Sequence, residues 1–301
     1  MTAQDNVVPQ TGMDVAAAAA PAALAPWQVL GAAVRGVSHE RLEMPCQDAL
    51  AFQVLPGEVL SVALADGAGS APFSDAGAQG AVAAALDAMA NAYQSGLPED
   101  KEGWHAVMRE VFAKAKQAVL DLAESSDEPV RAYACTLTCA FAIPGERTDR
   151  LVAAQIGDGA VVAMDMDESL FTVTRLQRGE YANETHFLVQ EDALDQLVID
   201  VVDRPVKAMA VMSDGLIRLA LKMPSQEPHT PFFTPLFRFA ASVEEDDTKR
   251  DAAGEQLAAF LSSERVNART DDDKSLVLAV RGAILKGIPV SAGSQGEQGS
   301  A

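Results

Sequence analysis

The chain alternates between short apolar runs and two long segments of helical period. WQVLGAAVRGVS, ALAFQVL and EVLSVALAD are brief and rich in β-branched or apolar residues, and Pro56-Gly57 between the last two is a turn signal. They predict strands. From about Ser74 to Tyr93 the sequence is rich in alanine, a strong helix former, and predicts a helix. A second helix is expected from about Trp104 to Leu122, where Val107, Val111, Phe112, Ala115, Val119 and Leu122 recur at helical spacing on one face. Four more β-like runs follow: YACTLTCAFAI, RLVAAQIG, LVIDVV and VKAMAVMS. FFTPLFRFAASV reads as helical in part, GEQLAAFLSSER as a helix and SLVLAVRGAIL as a closing strand. Strands, a helix pair, then more strands and helices is an α+β order, not a strict βαβ alternation. Two antiparallel sheets with helices on their outer faces fit it.

The ends read differently from the middle. Residues 1–25 form an Ala/Pro-rich arm with no Lys or Arg before Arg35, so the charged start of a secretory signal is missing. Pro21 and Pro26 interrupt the alanines, which argues against a membrane span. Residues 290–301 are a Gly/Ser-rich tail, and both ends are expected to be disordered. One domain is expected over residues 26–289.

Charge narrows the partners. A formal net charge of -20 over 301 residues repels phosphate backbones and anionic lipid at long range, so neither nucleic acid nor membrane is expected as a partner. Cys46, Cys135 and Cys139 have neither a disulfide framework nor zinc spacing, which fits a reducing cytoplasm. They are expected to be small packed side chains.

The candidate chemistry is a set of carboxylates at the ends of apolar runs, each with an ordinary reading beside it. Asp48, in MPCQDAL, starts a strand, where an isolated Asp usually bonds its own turn. Asp66, in ADGAGSA, has the form of a hairpin Asp-Gly, but the small residues after it lead into a helix instead of a second strand. Asp158, in IGDGAVV, fits a hairpin with an apolar run on each side, a structural role. Asp214, in MAVMSDGLIRLAL, fits a helix N-cap. Asp271, Asp272 and Asp273 precede the last strand in a run that usually marks a solvated loop. Taken together, they are carboxylates from four distant parts of the chain that could meet at one edge of a sheet core. Oxygen-only donors without His or Cys suit a hard cation, Mg²⁺ or Mn²⁺, rather than zinc. Carboxylates gathered without a cation would repel one another and raise their own pKa values.

The ordered set CQDA, ADGAGSA, GDG, SDG and DDKS resembles the metal-dependent protein phosphatases of the PP2C type. The stretch RGVSHERLEMPCQDA, Arg35 to Ala49, is especially similar to the opening of a bacterial branch, and GEYANET, Gly179 to Thr185, resembles another of its segments. The resemblance runs from Val34 to Val280, and its specificity lies in order and spacing, since each motif alone is weak. It implies an αββα four-layer sandwich of two antiparallel sheets flanked by helices, with a two-ion Mg²⁺ or Mn²⁺ site at one end. Carried over, Asp66 bridges both ions and the Gly67 carbonyl binds the first. Asp48, Asp214 and Asp272 hold the second, partly through waters. Asp272 is chosen because it lies three residues before Ser275; Asp271 and Asp273 are the local alternatives. The implied reaction is hydrolysis of phosphoserine or phosphothreonine in a protein by a metal-activated water held by Asp66, in opposition to a cognate Ser/Thr kinase.

Three positions depart from the family pattern. Glu43 stands where an arginine often grips the substrate phosphate, leaving Arg35, His39 or Arg41 for that task, with His39 and Arg41 preferred. Ala68 stands where some members carry a histidine proposed as general acid, and Arg218 where many carry a third-metal aspartate. The last weakens Asp158 as a third-metal ligand. The departures also motivate an alternative, a weak or inactive relative that binds a phosphoprotein without turning it over. A third reading is a metal-binding structural domain. Oligomeric state stays open.

Overall fold

The structure, a computed structural model, describes residues 26–145, 148–174, 185–244 and 246–281. The expected arm over residues 1–25, the tail over 290–301, residues 282–289 and all but the last residue of GEYANET lie outside the described residues. The chain opens with β1 (Trp27–Val34), α1 (Val37–Arg41), β2 (Ala49–Leu55) and β3 (Val59–Ala65), followed by α2 (Ser74–Ser95) and α3 (Lys101–Ser125). Next come β4 (Leu137–Ile143), β5 (Arg150–Ile156), β6 (Ala160–Met164), β7 (Leu170–Thr172), β8 (Val198–Asp203) and β9 (Ala208–Met212). After α4 (Ile217–Ala220) and the short ribbon β10 (Leu221–Lys222) and β11 (Glu227–Pro228), the chain ends through α5 (Thr230–Ser242), α6 (Asp247–Leu261), α7 (Glu264–Asn267) and β12 (Lys274–Arg281).

The strands form two five-stranded sheets, ordered β1-β12-β9-β6-β7 and β2-β3-β4-β5-β8, with every neighbouring pair antiparallel. Three apolar seams separate four layers. Val62, Leu64, Val211 and Val277 fill the seam between the sheets. Ala63, Phe141, Ala81 and Met108 join the second sheet to α2 and α3, while Leu30, Leu278, Phe237 and Leu257 join the first sheet to α5 and α6. A strand with a layer on both faces buries every residue, as β3 and β12 do. That is why those runs read as continuously apolar instead of alternating. The four-layer arrangement is the one expected.

Several local expectations need correction. GVS, expected to end the first strand, instead turns at Gly36 into α1. The strands β6 and β7 were not separated out; β7 has only three half-buried residues, too few to show a period. The hairpin reading of Asp158 fails, because β5 and β6 lie in different sheets and the Gly-Asp-Gly between them is a crossover. FFTPLFRFAASV is helical as far as Ser242, although Pro235 lies within it. The second long helix is longer than its apolar period shows, because Asp100 caps it by accepting from the Gly103 N–H at 2.7 Å.

Candidate active site

Sheet register brings the carboxylates together. Ala49 pairs with Ala65, so Asp48 before β2 and Asp66 after β3 leave the second sheet at the same end. In the first sheet Met212 pairs with Leu276, which puts the end of β9 and Asp214 beside the start of β12 and Asp272. Asp66 is fixed through its backbone: its N–H donates to Thr136 Oγ1 at 3.0 Å, and its carbonyl accepts from the Thr136 N–H at 2.8 Å. Two glycines let the loops close on one another. A methyl group at Gly67 would lie 2.7 Å from the Gln47 carbonyl oxygen, and one at Gly215 would lie 2.0 Å from the Asp273 carbonyl oxygen.

The result is a cleft of about 160 Å³ lined by Asp66, Gly67, Thr136, Asp158, Asp214 and Asp272, with Ala68, Gly69, Thr185 and Phe187 completing its wall. Asp48 lies beneath it, 7% exposed. The ordinary readings of these residues do not hold. Asp48 does not bond its own turn; its Oδ2 accepts from Ser213 Oγ at 2.8 Å, across the two sheets. Asp214 is not a cap, because Ser213 takes that position and Asp214 lies inside the 3-10 turn it opens. Asp158 faces the cleft, and its Oδ2 accepts from Thr185 Oγ1 at 2.9 Å. Within the acidic run the three residues separate: Asp271 is exposed, Asp272 lines the cleft and Asp273 is buried. Asp273 accepts from the N–H groups of Gly36 and Gln47, each at 2.6 Å, and so anchors the opening motif.

His39 is buried beside the cleft, its Nδ1 2.9 Å from Asp273 Oδ1. Its Nε2 lies 3.7 Å from where a side chain at Gly69 would begin. Arg41 is exposed on α1, and Arg35 donates to the Met44 carbonyl at 3.2 Å; neither lines the cleft. Sequence reasoning missed Thr136, Ser213 and Gln47. Ser213 stood inside a quoted motif, but its partner, Asp48, is 165 residues away.

Burial dominates the electrostatics. It pushes Asp48 up to about 7, an effect that hydroxyl donors such as Ser213 only partly offset. Asp66 is raised well above the ordinary 3.8 by burial first, then by repulsion from Asp48 and Asp214. Burial lifts Asp214 to about 6, although a hydrogen bond shared with Asp66 opposes the rise. Asp158 is also raised by burial. Asp48 Oδ1 and Asp214 Oδ1 are buried without partners. All-oxygen donors, crowded and under-satisfied, fit a hard divalent cation. Among the described residues no three His, Cys, Asp or Glu side chains form a ready-made cation cage. A shell built from one or two carboxylates, a carbonyl and several waters needs none, and Mg²⁺ commonly keeps such waters.

The raised values fix the sign of a pH effect. Between about pH 4 and 7 the folded chain holds protons that the unfolded chain releases, so cation-free stability falls as pH rises through that window. The Tm gain from Mg²⁺ is therefore expected to be larger at pH 7.5 than at pH 5, measured by thermal unfolding with and without chelator. Equal gains at both pH values would show that these carboxylates do not bind the ion.

The three thiols are free, and Cys135 and Cys139 are buried. Burial pushes Cys46 and Cys135 up to about 12, which suits spectators. No helix among the described residues is long and apolar enough to cross a membrane.

A model of the protein phosphatase 2C family matches residues 35–262. Serine/threonine-protein phosphatase 3 of Escherichia coli K12 is 37% identical over 263 residues, spanning 84% of this chain and 98% of that protein. Among solved structures, the S. agalactiae serine/threonine phosphatase superposes with a TM-score of 0.54 at 13% identity, covering 84% of this chain and 99% of that one. A C. elegans sex-determining protein superposes with a TM-score of 0.58 at 14% identity over 87% of this chain and 67% of that one. At those identities the two structures speak to fold alone.

Proposed function

The chain belongs to the protein phosphatase 2C family, and from that premise we propose that it hydrolyses phosphoserine and phosphothreonine in proteins with two divalent cations, Mg²⁺ or Mn²⁺. The observation that carries this reading is the convergence of Asp66, Asp158, Asp214 and Asp272 on one cleft, with Asp48 directly beneath. Asp66 would hold both ions, joined by the Gly67 carbonyl at the first and by Asp48, Asp214 and Asp272 at the second, with Asp158 available to a third. Bound ions would supply a water acidic enough to be nucleophilic near neutral pH, together with charge to offset the phosphoryl oxygens.

The chain's own part is positional. The Asp66 backbone is pinned to Thr136, the residue before β4, which fixes the point from which its carboxylate can accept a hydrogen bond from the attacking water. Attack on phosphorus opposite the ester oxygen breaks the P–O bond and frees the serine or threonine hydroxyl, whose proton comes from solvent. Burial raises the pKa values of Asp48, Asp66 and Asp214, so ion binding must displace the protons they hold and loading releases protons. Of the two residues expected to contact phosphate, His39 is buried next to Gly69 beside the cleft, whereas Arg41 would have to move to reach it. The free thiols accord with a cytoplasmic enzyme opposing a Ser/Thr kinase.

Hydrolysis of p-nitrophenyl phosphate tests the reading. Turnover should appear with Mn²⁺, vanish with chelator and return on adding excess Mn²⁺. Phosphopeptide binding without phosphate release would instead mark a non-catalytic relative.

A further inference from the structure

Beyond the acidic cleft, a cavity of about 750 Å³ lies between α4, β10, α5, α6 and α7. Its walls are apolar and aromatic, with Phe232, Phe239 and Phe260 among them. Arg218, Lys222, Arg265 and Arg269 also line it, together with His229, and among the described residues no Asp or Glu does. All four of these Arg and Lys residues are exposed, and none has a side-chain ion pair or hydrogen bond among the described residues. In a chain of net charge -20, four cations on the rim of a cavity that no described Asp or Glu lines make a local reversal of the surface field, although Glu227 is paired opposite Lys222 on the β10-β11 ribbon.

We propose that this cavity docks an acidic segment of the phosphoprotein substrate that carries phenylalanine or leucine side chains; the inference rests on the phosphatase reading above. Three observations carry it. The first is complementarity, since acidic side chains answer the Arg/Lys rim and apolar ones the Phe-lined walls. The second is the size and sign of the cleft. At about 160 Å³ it has room for about five waters at ~30 Å³ each, enough for a phosphorylated side-chain head and not for its neighbours. Among the described residues no Lys or Arg lines it, which leaves selection of a protein substrate to surface outside the cleft. The third is adjacency along the chain. Arg218 lies four residues beyond Asp214, where the chain is helical, and Arg269 lies three residues before Asp272, within about 11 Å by chain reach. A substrate whose phosphate enters the cleft can therefore lay a flanking segment into the cavity.

The test compares two phosphothreonine peptides on the full chain with Mn²⁺, one flanked by Glu and Phe, the other by Ser and Gly. The wild-type chain should show a lower KM for the Glu/Phe peptide. In Lys222→Glu/Arg265→Glu that KM should rise about tenfold, the ratio carried by about 1.4 kcal/mol. The kcat for the peptide and the turnover of p-nitrophenyl phosphate should persist. Equal KM values for the two peptides, or no change in the double variant, would overturn the proposal. If the wild-type chain fails to turn over p-nitrophenyl phosphate, the phosphatase reading falls instead. Docking is then judged by fluorescence anisotropy of a labelled Glu/Phe peptide lacking phosphate: binding lost in the double variant supports the cavity's role, and absence of binding ends it. Binding of dodecanoate but not of the peptide would make the cavity a site for small anions and also defeat the proposal.

Discussion

Asp66→Asn is expected to lower kcat/KM for p-nitrophenyl phosphate by about 10³-fold or more while raising the Tm of the cation-free chain at pH 8. The first effect follows from the proposed role. Divalent ions at a reacting phosphate supply several kcal/mol of transition-state stabilisation, and about 4 kcal/mol is a factor of about 10³. Asp66 is the carboxylate to which both ions are assigned, so no neighbour replaces it. The second effect has the opposite sign because Asp66 is buried against Asp48 and Asp214, which disfavour its charged form. An amide of the same shape removes that repulsion while filling the same space. Metal-free Tm, Mg²⁺-induced Tm gain and turnover together discriminate the outcomes. A variant that kept its turnover would remove Asp66 from the mechanism. One that lost both turnover and metal-free stability would point to a packing defect instead.

Asp149→Ala should destabilise the fold by about 3–5 kcal/mol, the usual cost of leaving a buried charge without its partner. Asp149 and Arg281 lie at the end of the sandwich away from the cleft, since Arg281 closes the strand that Lys274 opens. Arg281 Nη1 and Nη2 donate to the two carboxylate oxygens at 3.2 and 3.1 Å, and the Val206 N–H donates to Asp149 Oδ2 at 2.7 Å. The guanidinium also stacks 4.5 Å above the Trp27 ring, with Arg281 only 1% exposed. For a domain of this size the loss corresponds to a Tm drop of roughly 6–20 °C. Asp149→Ala/Arg281→Met should recover most of it, because an apolar pair of similar volume leaves no orphaned charge. Because the pair is remote from the cleft, the Mn²⁺-dependent turnover at low temperature should survive in both. A single variant as stable as the parent would mean that water reaches Arg281.

Much of the fold was legible because burial on both faces leaves a plain mark. β3 and β12 are uninterrupted apolar runs, and α3 shows its buried face at a regular interval. Where the mark is faint, reading failed. β7 is three residues long, and α1 is a five-residue helix in a segment that follows a strand without a break in polarity. Asp158 was read as a hairpin because apolar runs flank it, and sequence carries no sign of which sheet each run joins. The substrate side was least legible. His39 lies beside Gly69 only because α1 folds back over the loop after β3, and Arg41, two residues along the same short helix, faces solvent.

Sequence by itself determined the inventory: apolar runs of the right length, carboxylates at their ends, glycines beside them, and an acidic chain without paired cysteines. Those are local properties, written in composition and spacing. Only the tertiary structure decided which carboxylate faces the cleft, which lies beneath it and which anchors a loop, as Asp272, Asp48 and Asp273 do. It also decided that four cations from separate segments share one cavity. Such roles depend on register between strands far apart in the chain. A carboxylate's surroundings, and hence its charge, are set by neighbours that the residues beside it do not specify.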